Sequence, residues 1–328
     1  MGCTPCRCGS GLANTGIDCY AVFAVPRRAY LVPLYDSTGE RNKIDFADID
    51  ADTAEQYFTD LVNEADATKR WYPLPGFENV DSTRNDNIVE TYNSGTTSFV
   101  QYGIKPFLGW IVPSASGNMQ PSLIKAINGA RCVGELGVIM IDINGNLRGT
   151  LSADELSLYP TKIDSSSIAA TLIEATDTTN PHINVTWNYA REEKDEDLAL
   201  ITCTELGGSY MLTLRGLIDV VSSLSVITDT SVKVTLITNS GTKITPVYVK
   251  GLVLADWISS DDAATGQIYN STTDANVALV SATENPDGTY TLTVGSPQNE
   301  GDELIPMATR EGYDFTALED NPWVVPMT

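Results

Sequence analysis

The pattern of apolar runs and turn residues is densest in residues 88–149, above all in the opening part at 88–112. Two β-rich runs, residues 89–92 and 98–102, flank the turn-forming sequence Asn-Ser-Gly-Thr, and this arrangement predicts a β-hairpin. A third extended run follows at residues 104–112. Five bulky side chains of this region are expected to anchor a core or an interface: Phe99, Val100, Phe107, Trp110 and Ile111.

The next residues predict a short helix and a buried strand. Pro121 stands at the first position of a helix over residues 121–128, and Gly129 stands just past its end, as is typical of helix boundaries. Residues 136–143 are nearly all apolar, which is typical of a strand buried on both faces. An Asn-Gly pair then predicts a turn. Three strands, a helix and a fourth strand form one α+β unit.

The chain before this unit predicts two strands, a helix and a long connection. Residues 20–35 predict two short strands that are separated near Pro26, because proline lacks a backbone donor and is confined to the edges and ends of strands. Asp52 begins a capping pattern and predicts a helix that ends near Ala65. The polar residues 66–87 predict a loop of unusual length for a compact domain. Such a loop suggests a connection that reaches a neighbour.

The chain after this unit is also rich in strands. Residues 168–176 and 183–189 predict two of them, and we interpret the charge run at residues 191–197 as a solvated loop or helix start. From about residue 220 short strands alternate with turns, among them a second hairpin over residues 232–249. That pattern is typical of a small β-sandwich.

These patterns predict a mainly β chain of α+β character with four parts. The parts are a cysteine-rich N-terminal arm (1–20), a β domain (21–220) that contains the long loop 66–87, a small β-sandwich (221–300) and an extended C-terminal arm (301–328). Two domains agree with a length of 328 residues, because a domain usually has about 100–200 residues.

The charge balance argues against several partners. The chain carries 43 acidic and 20 basic residues, a net charge of −23 at pH 7. Such a surface repels DNA and anionic membranes, which argues against sequence-specific nucleic-acid binding and against a membrane partner. The same charge could line a passage through which a polyanion slides, or could simply keep the protein soluble. No apolar run reaches the roughly 18–20 residues of a membrane span, and no secretion signal is apparent, so a cytoplasmic location at synthesis is expected.

Four cysteines near the start, Cys3, Cys6, Cys8 and Cys19, have a spacing that could hold one tetrahedral zinc ion. They could equally form disulfides in an oxidising medium or stay reduced. The spacing also departs from the usual pair of C-x2-C knuckles. Zinc is the one cofactor that the sequence suggests.

Side chains suited to catalysis are scarce. His182 is the only histidine, and we expect a structural role for it ahead of a strand. Cys132 and Cys203 lie in apolar surroundings and are expected to be small core residues. The sequence has no glycine-rich phosphate loop, no G-x-S-x-G elbow and no H-E-x-x-H motif. We therefore expect a protein that is not an enzyme.

The central blocks of the sequence resemble those of a known family. These blocks are ETYNSGTTSFVQYGIKPFLGWIV at residues 90–112, SLIKAI at residues 122–127 and RCVGELGVIMIDINGNLRG at residues 131–149. Further similar pieces are KRWYPLP at residues 69–75 and ATENPDGTYTLTV at residues 282–294. Together they resemble the tail tube-like virion structural proteins of tailed bacteriophages.

The resemblance implies a tail tube subunit. Such subunits pair a β-sandwich or barrel with a packed helix and assemble as stacked hexameric rings, in which strands of neighbouring copies close an inner barrel. It further implies an acidic channel through which DNA passes transiently, an immunoglobulin-like C-terminal β-sandwich on the exterior, and contacts with other virion proteins. The protein would be located in the host cytoplasm before assembly and in the virion tail afterwards. Two other readings stay open, namely another phage structural role (capsid decoration, connector or baseplate component) and a carbohydrate-binding surface module.

Overall fold

The computed structural model describes residues 23–112, 121–225, 227–241 and 246–326. It is mainly β, with 43% strand and 12% helix, and it contains a sheet that curls into a half-barrel. The mainly β class is therefore confirmed. The cysteine-rich arm at residues 1–20 lies outside the described residues. The tube-like and immunoglobulin-like assignments of the two domains stay predictions.

The chain divides into two compact units between Gly216 and Leu217. The strands of the first unit are β1 (Pro26–Pro33), β2 (Ile44–Asp45), β3 (Tyr72–Pro73), β4 (Glu78–Asp81), β5 (Ile88–Thr91), β6 (Thr97–Gln101), β7 (Pro106–Ile111), β8 (Leu136–Asp142), β9 (Leu147–Leu151), β10 (Ser157–Tyr159), β11 (Thr161–Ile173), β12 (His182–Tyr189) and β13 (Leu198–Ile201). Its helices are α1 (Ala54–Asn63) and α2 (Pro121–Gly129), with 3-10 turns at Phe46–Asp48, Ala130–Cys132, Asp195–Asp197 and Tyr210–Leu212.

One 11-stranded sheet organises the first unit. Its main order is β2-β10-β9-β8-β11-β12-β7-β4, while β1 pairs with β3 and β8, and β13 pairs with β9. All seven residues of β8 are buried, and β8 pairs with β1, β9 and β11. The prediction of a strand buried on both faces is therefore confirmed. Its nearly continuous apolar sequence follows from this position, since apolar side chains pack on each face of the sheet.

Helix α1 packs its apolar stripe into one of the cores of the first unit. The predicted helix is confirmed, although it begins at Ala54 and ends at Asn63, inside the predicted limits. Ala54, Phe58 and Val62 are buried, and their spacing of four residues places them on one helix face. The aromatic ring of Phe58 contacts Trp71, with 5.6 Å between ring centroids.

Two expectations for the N-terminal part differ from the structure. In residues 23–35, the described part of the range predicted to hold two strands, there is the single strand β1. Pro26 and Pro33 mark its two ends, where a missing backbone donor costs nothing. Residues 66–87 are also not a structureless loop. They contain β3 and β4, and they bury Trp71 and Phe77. These large side chains fix the segment because their apolar surface leaves water.

Helix α2 closes one edge of strand β11. The side-chain amide of Asn128 donates to the carbonyl oxygen of Ala170 (3.0 Å) and accepts from the backbone N–H of Ala170 (2.9 Å). Arg131 donates to the carbonyl oxygen of Ile168, two residues earlier on the same side of the strand backbone. On the inner side of α2, Ile127 is buried in the core.

The second unit has a core of its own. Its strands are β14 (Ile218–Ser225), β15 (Ser231–Gly241), β16 (Pro246–Tyr248), β17 (Trp257–Ile258), β18 (Gln267–Asn270), β19 (Ala275–Glu284), β20 (Tyr290–Val294), β21 (Glu303–Ile305), β22 (Met307–Ala308), β23 (Tyr313–Asp314) and β24 (Trp323–Val324), with 3-10 turns at Leu254–Asp256 and Thr316–Leu318. The main sheet has the order β23-β14-β15-β20-β19-β18-β21-β24, and β16 pairs with β15. The pairing of β15 with β16 confirms the second predicted hairpin.

The C-terminal residues fold into this second unit, so the expected extended arm at 301–328 was wrong. Strands β21 to β24 belong to its sheets. The core also contains seven side chains of this segment: Leu304, Met307, Ala308, Phe315, Leu318, Trp323 and Val325. The segment lacks a regular apolar period because each of its strands has only two or three residues. Its burial therefore leaves little trace in the sequence pattern.

Candidate functional site

Strands β5 and β6 form a hairpin that is a separate two-stranded sheet. Val89 pairs with Phe99, and Thr91 pairs with Thr97. Gly95 in the turn has a φ of +79°, a left-handed conformation that glycine adopts without strain. The hairpin predicted over residues 89–102 is confirmed.

This hairpin exposes apolar side chains on both of its faces. Five of them are between 47% and 54% exposed: Ile88, Val89, Tyr92, Phe99 and Val100. Val89 and Phe99 are direct partners and share one face, whereas Ile88 is the neighbour of Val89 in β5 and points to the other face. Ile88 pairs with Gln101, and Val100 is the extra residue of β6 at the register shift between these two pairs. The hairpin therefore has no face that is purely polar.

The backbone edges of the hairpin are also open. Among the residues that the structure describes, no third strand pairs with β5 or β6. A lone two-stranded hairpin is marginally stable in water and gains stability when its strands or its apolar side chains are covered. Open edges and exposed apolar residues together are the usual features of a surface that pairs with another chain.

The structure divides the five expected anchor residues. Phe107 and Ile111 are buried and are core residues, as predicted. Phe99 and Val100 are not core residues, because they lie on the uncovered hairpin. Trp110 is half-buried, since it alternates with Phe107 and Ile111 and so points to the opposite face of β7. Whether the three residues outside the core contact another subunit stays a prediction.

The sequence analysis missed Trp187, which is a main residue of the core. Its ring stacks on Phe107 with 3.9 Å between ring centroids, and it is fully buried. On the other face of the same two strands, Trp110 stacks on His182 at 4.2 Å. Both tryptophans lie in strands with the same alternation of apolar and polar residues. The sequence pattern alone therefore does not tell which of the two side chains faces the core.

His182 is buried, and its Nδ1 lies 3.1 Å from the carbonyl oxygen of Asn180, as a structural histidine should.

The base of the hairpin is closed by short backbone contacts. The N–H of Asn85 donates to the carbonyl oxygen of Ile104 (2.9 Å), and the N–H of Gly103 donates to the side-chain oxygen of Asn87 (3.2 Å). A Cβ atom on Gly103 would lie 2.0 Å from the carbonyl oxygen of Asn85. Only glycine therefore permits this close approach of the two chain segments.

The charge run at residues 191–197 is mostly exposed and contains the start of a 3-10 turn at Asp195, as expected, but it also holds one buried carboxylate. Glu193 is buried, and its carboxylate accepts from the hydroxyl of Thr150 (2.8 Å) and from the backbone N–H of Lys162 (3.0 Å). Asp195 accepts from Arg84 (3.1 Å) and from Lys105. Burial opposes ionisation of Asp195, but the hydrogen bonds from these two cations outweigh it and lower the pKa of its carboxyl. The loop is thus tied to the sheet and to the base of the hairpin.

The cysteines give a mixed outcome. Cys3, Cys6, Cys8 and Cys19 lie outside the described residues, so the zinc site stays a prediction. Cys203 is buried as expected and takes part in a disulfide. Cys132 is an exposed free cysteine, contrary to the core position expected for it, because it ends the 3-10 turn that leads away from the core. Within the described part of the chain, no group of three or more side chains is placed to hold a metal ion.

Comparison of the chain with protein-family models, with curated proteins and with solved structures finds no match in any of the three. In the described ranges, no helix has both the length and the apolar character needed to cross a membrane.

Proposed function

We propose that this chain is a structural subunit of a phage virion, namely a tail tube protein that polymerises as stacked rings around a channel for DNA. Its main partners are further copies of itself, with hexameric rings expected, and other virion proteins. It carries out no catalysis. It acts in the virion tail, after a period in the host cytoplasm.

The single observation that carries this proposal is the β5–β6 hairpin. Five half-exposed apolar side chains on two faces, with two unpaired strand edges, make a poor surface for a protein that stays alone in water. A second copy of the chain offers both the backbone groups and the apolar surface that cover such a hairpin. The resemblance of residues 90–112 to tail tube-like proteins supports the same assignment.

The charge of the chain supports a role in DNA passage. A net charge of −23 repels a polyanion, so DNA that moves through an acidic channel meets few attractive contacts. Basic walls would bind the phosphate backbone and slow its movement.

Polymerisation of the purified full chain tests the proposal. Electron microscopy and sedimentation velocity over a range of concentrations should show hollow polymers built from rings. The double variant Phe99→Ser, Val100→Ser should stay dissociated while its melting temperature is unchanged, because both side chains are already exposed in the subunit.

Leu156→Ser is the matched control. Leu156 is 65% exposed but lies in a tight turn of the first unit, away from the hairpin sequence, so this variant should polymerise as the wild type does. A wild-type chain that stays monomeric at every concentration contradicts the proposal and favours decoration or ligand binding. Equal polymerisation of the hairpin variant and the wild type contradicts the role of the hairpin.

A further inference from the structure

We propose that Arg84 is a positioning residue for assembly, which holds the β5–β6 hairpin at a fixed orientation to the sheet before a second copy binds. This inference rests on the proposed function and adds a residue to it. The partner is a second copy of this chain, and Arg84 acts through the hairpin rather than by touching that copy.

Arg84 connects three segments of the chain that meet at the base of the hairpin. It lies in the segment that enters β5, and its Nη1 donates to the carbonyl oxygen of Gly103, in the segment that leaves β6 (3.0 Å). Its Nη2 donates to the carbonyl oxygen of Glu193 (2.9 Å), and its Nε donates to the carboxylate of Asp195 (3.1 Å). A guanidinium presents several donors in a rigid plane, so it can bridge acceptors that lie in different directions.

The loop that receives Arg84 is itself fixed to the sheet. The carboxylate of Glu193 bonds to Thr150 of β9 and to the backbone of Lys162 in β11. Lys105, directly before β7, donates to the same Asp195 carboxylate that Arg84 binds. The path from hairpin to sheet therefore runs through hydrogen bonds on each side of Arg84.

The environment of this contact makes it stronger than an ordinary surface ion pair. The side chains of Arg84 and Lys105 are only 15% and 13% exposed, although Asp195 is 53% exposed. Exposed pairs are screened by salt and contribute little, whereas cations that are largely out of water keep more of their interaction. The Arg84 guanidinium also lies 5.8 Å from the ring centroid of Tyr102, and the Tyr102 ring packs edge-to-face with Phe99 at 5.0 Å between ring centroids. Arg84 is thus linked through Tyr102 to an apolar side chain of the proposed interface.

A fixed hairpin favours assembly because the ordering of the hairpin is complete before binding. A hairpin that moves freely must lose that freedom when it meets its partner, which lowers the affinity. With Arg84 in place, the apolar side chains on both faces stay in one arrangement relative to the sheet.

Hydrogen exchange and polymerisation of full-length Arg84 variants test the inference. In dissociated subunits, Arg84→Ala should raise the exchange rate of amides in residues 85–104 roughly ten- to hundredfold, the factor expected when hydrogen bonds to a charged group are lost. The protein concentration required for polymerisation should rise by a similar factor. Arg84→Lys keeps the charge but not the planar set of donors, so its effects should be intermediate.

Lys43→Met is the matched control, since it removes an exposed ion pair with Asp45 in the same unit, and it should change neither measurement. If Arg84→Ala does not fold, Arg84→Lys and Asp195→Asn provide the same comparison. Unchanged exchange at residues 85–104 in a folded variant overturns the inference, as does wild-type polymerisation by such a variant. Faster exchange in a chain whose wild type never polymerises keeps the hairpin contact but overturns both the role in assembly and the proposed function.

Discussion

The side-chain amide of Asn128 forms with Ala170 the same two hydrogen bonds that a neighbouring β-strand would form, one as donor and one as acceptor. Asn128 lies in α2 and Ala170 lies on the outer edge of β11. A bare strand edge pairs readily with other chains, and proteins commonly block such edges. Here Asn128, together with Arg131 at the carbonyl oxygen of Ile168, blocks the edge, whereas the β5–β6 hairpin is left open.

Asn128→Ala should destabilise the first unit by about 1–3 kcal/mol, because it leaves a partly buried N–H and carbonyl oxygen of Ala170 without partners. Urea denaturation, followed by a probe of the first unit, measures the change. Lys125→Ala, at an exposed position of the same helix, should cost less than about 0.5 kcal/mol. Equal stability of the two variants contradicts the assigned role of Asn128.

Trp187→Ala should cost about 3–5 kcal/mol, because it removes a fully buried ring that stacks on Phe107 and leaves a cavity. Trp110→Ala should cost clearly less, since its ring is only half-buried against His182 and water can replace part of it. Chemical denaturation of the two variants in parallel gives the comparison. A larger loss for Trp110 than for Trp187 would show that the faces of β7 and β12 are assigned wrongly.

Gly103→Ala should destabilise the protein by about 1–3 kcal/mol, because the new Cβ would lie 2.0 Å from a backbone oxygen of Asn85 that cannot move aside. Thermal unfolding measures this loss, and hydrogen exchange should place it at the hairpin base. Gly129→Ala is the control, since its Cβ would meet no atom within 4 Å and its φ is −67°. That variant should be neutral or slightly more stable. A neutral Gly103→Ala would contradict the close approach at the base.

Asp287 should titrate far below the usual range of aspartate. Hydrogen bonds from Lys233 (2.6 Å) and from the hydroxyl and backbone N–H of Thr289 lower the pKa of its carboxyl to about 2. Because the pKa is lowered on folding, the ionised carboxylate stabilises the fold above the ordinary aspartate range, and this contribution is lost as the pH falls towards about 2.

Carbon-detected NMR of the Asp287 carboxyl measures this titration. Lys233→Met should move the midpoint upwards, whereas Lys43→Met should leave it unchanged, since Lys43 pairs with Asp45 instead. An Asp287 midpoint near 4 in the wild type would contradict the hydrogen-bond geometry at this turn.

The sequence predicted the elements whose pattern is local. The β5–β6 hairpin, α2 and β8 each follow from turn residues or from an apolar period within one segment. The exposure of Phe99 was not predictable in this way, because the same alternation occurs whether a strand is covered by its own chain or by another. The core position of Trp187 required the strand order, which sets the face that each residue presents.

Long-range contacts explain the remaining differences. Glu193 lies within a dense charge run that is typical of a solvated loop, yet it is buried because groups on two distant strands donate hydrogen bonds to its carboxylate. Trp323 lies in a segment without apolar period, yet it belongs to the core of the second unit. The hydrogen bond between Arg84 and Asp195 at the hairpin base likewise joins residues that are 111 positions apart in the chain. No sequence-spacing rule predicts such a contact.

A hairpin with apolar side chains on two sides gives the proposed polymer a direction. One flat surface covers only one side of β5–β6, so the hairpin must enter a cleft or lie between two copies, and the surface that receives it differs from the hairpin itself. Contacts between unlike surfaces repeat head to tail. An incomplete polymer would then expose hairpins at one end and the surfaces that receive them at the other. Different proteins would therefore be required to start or cap the polymer at its two ends.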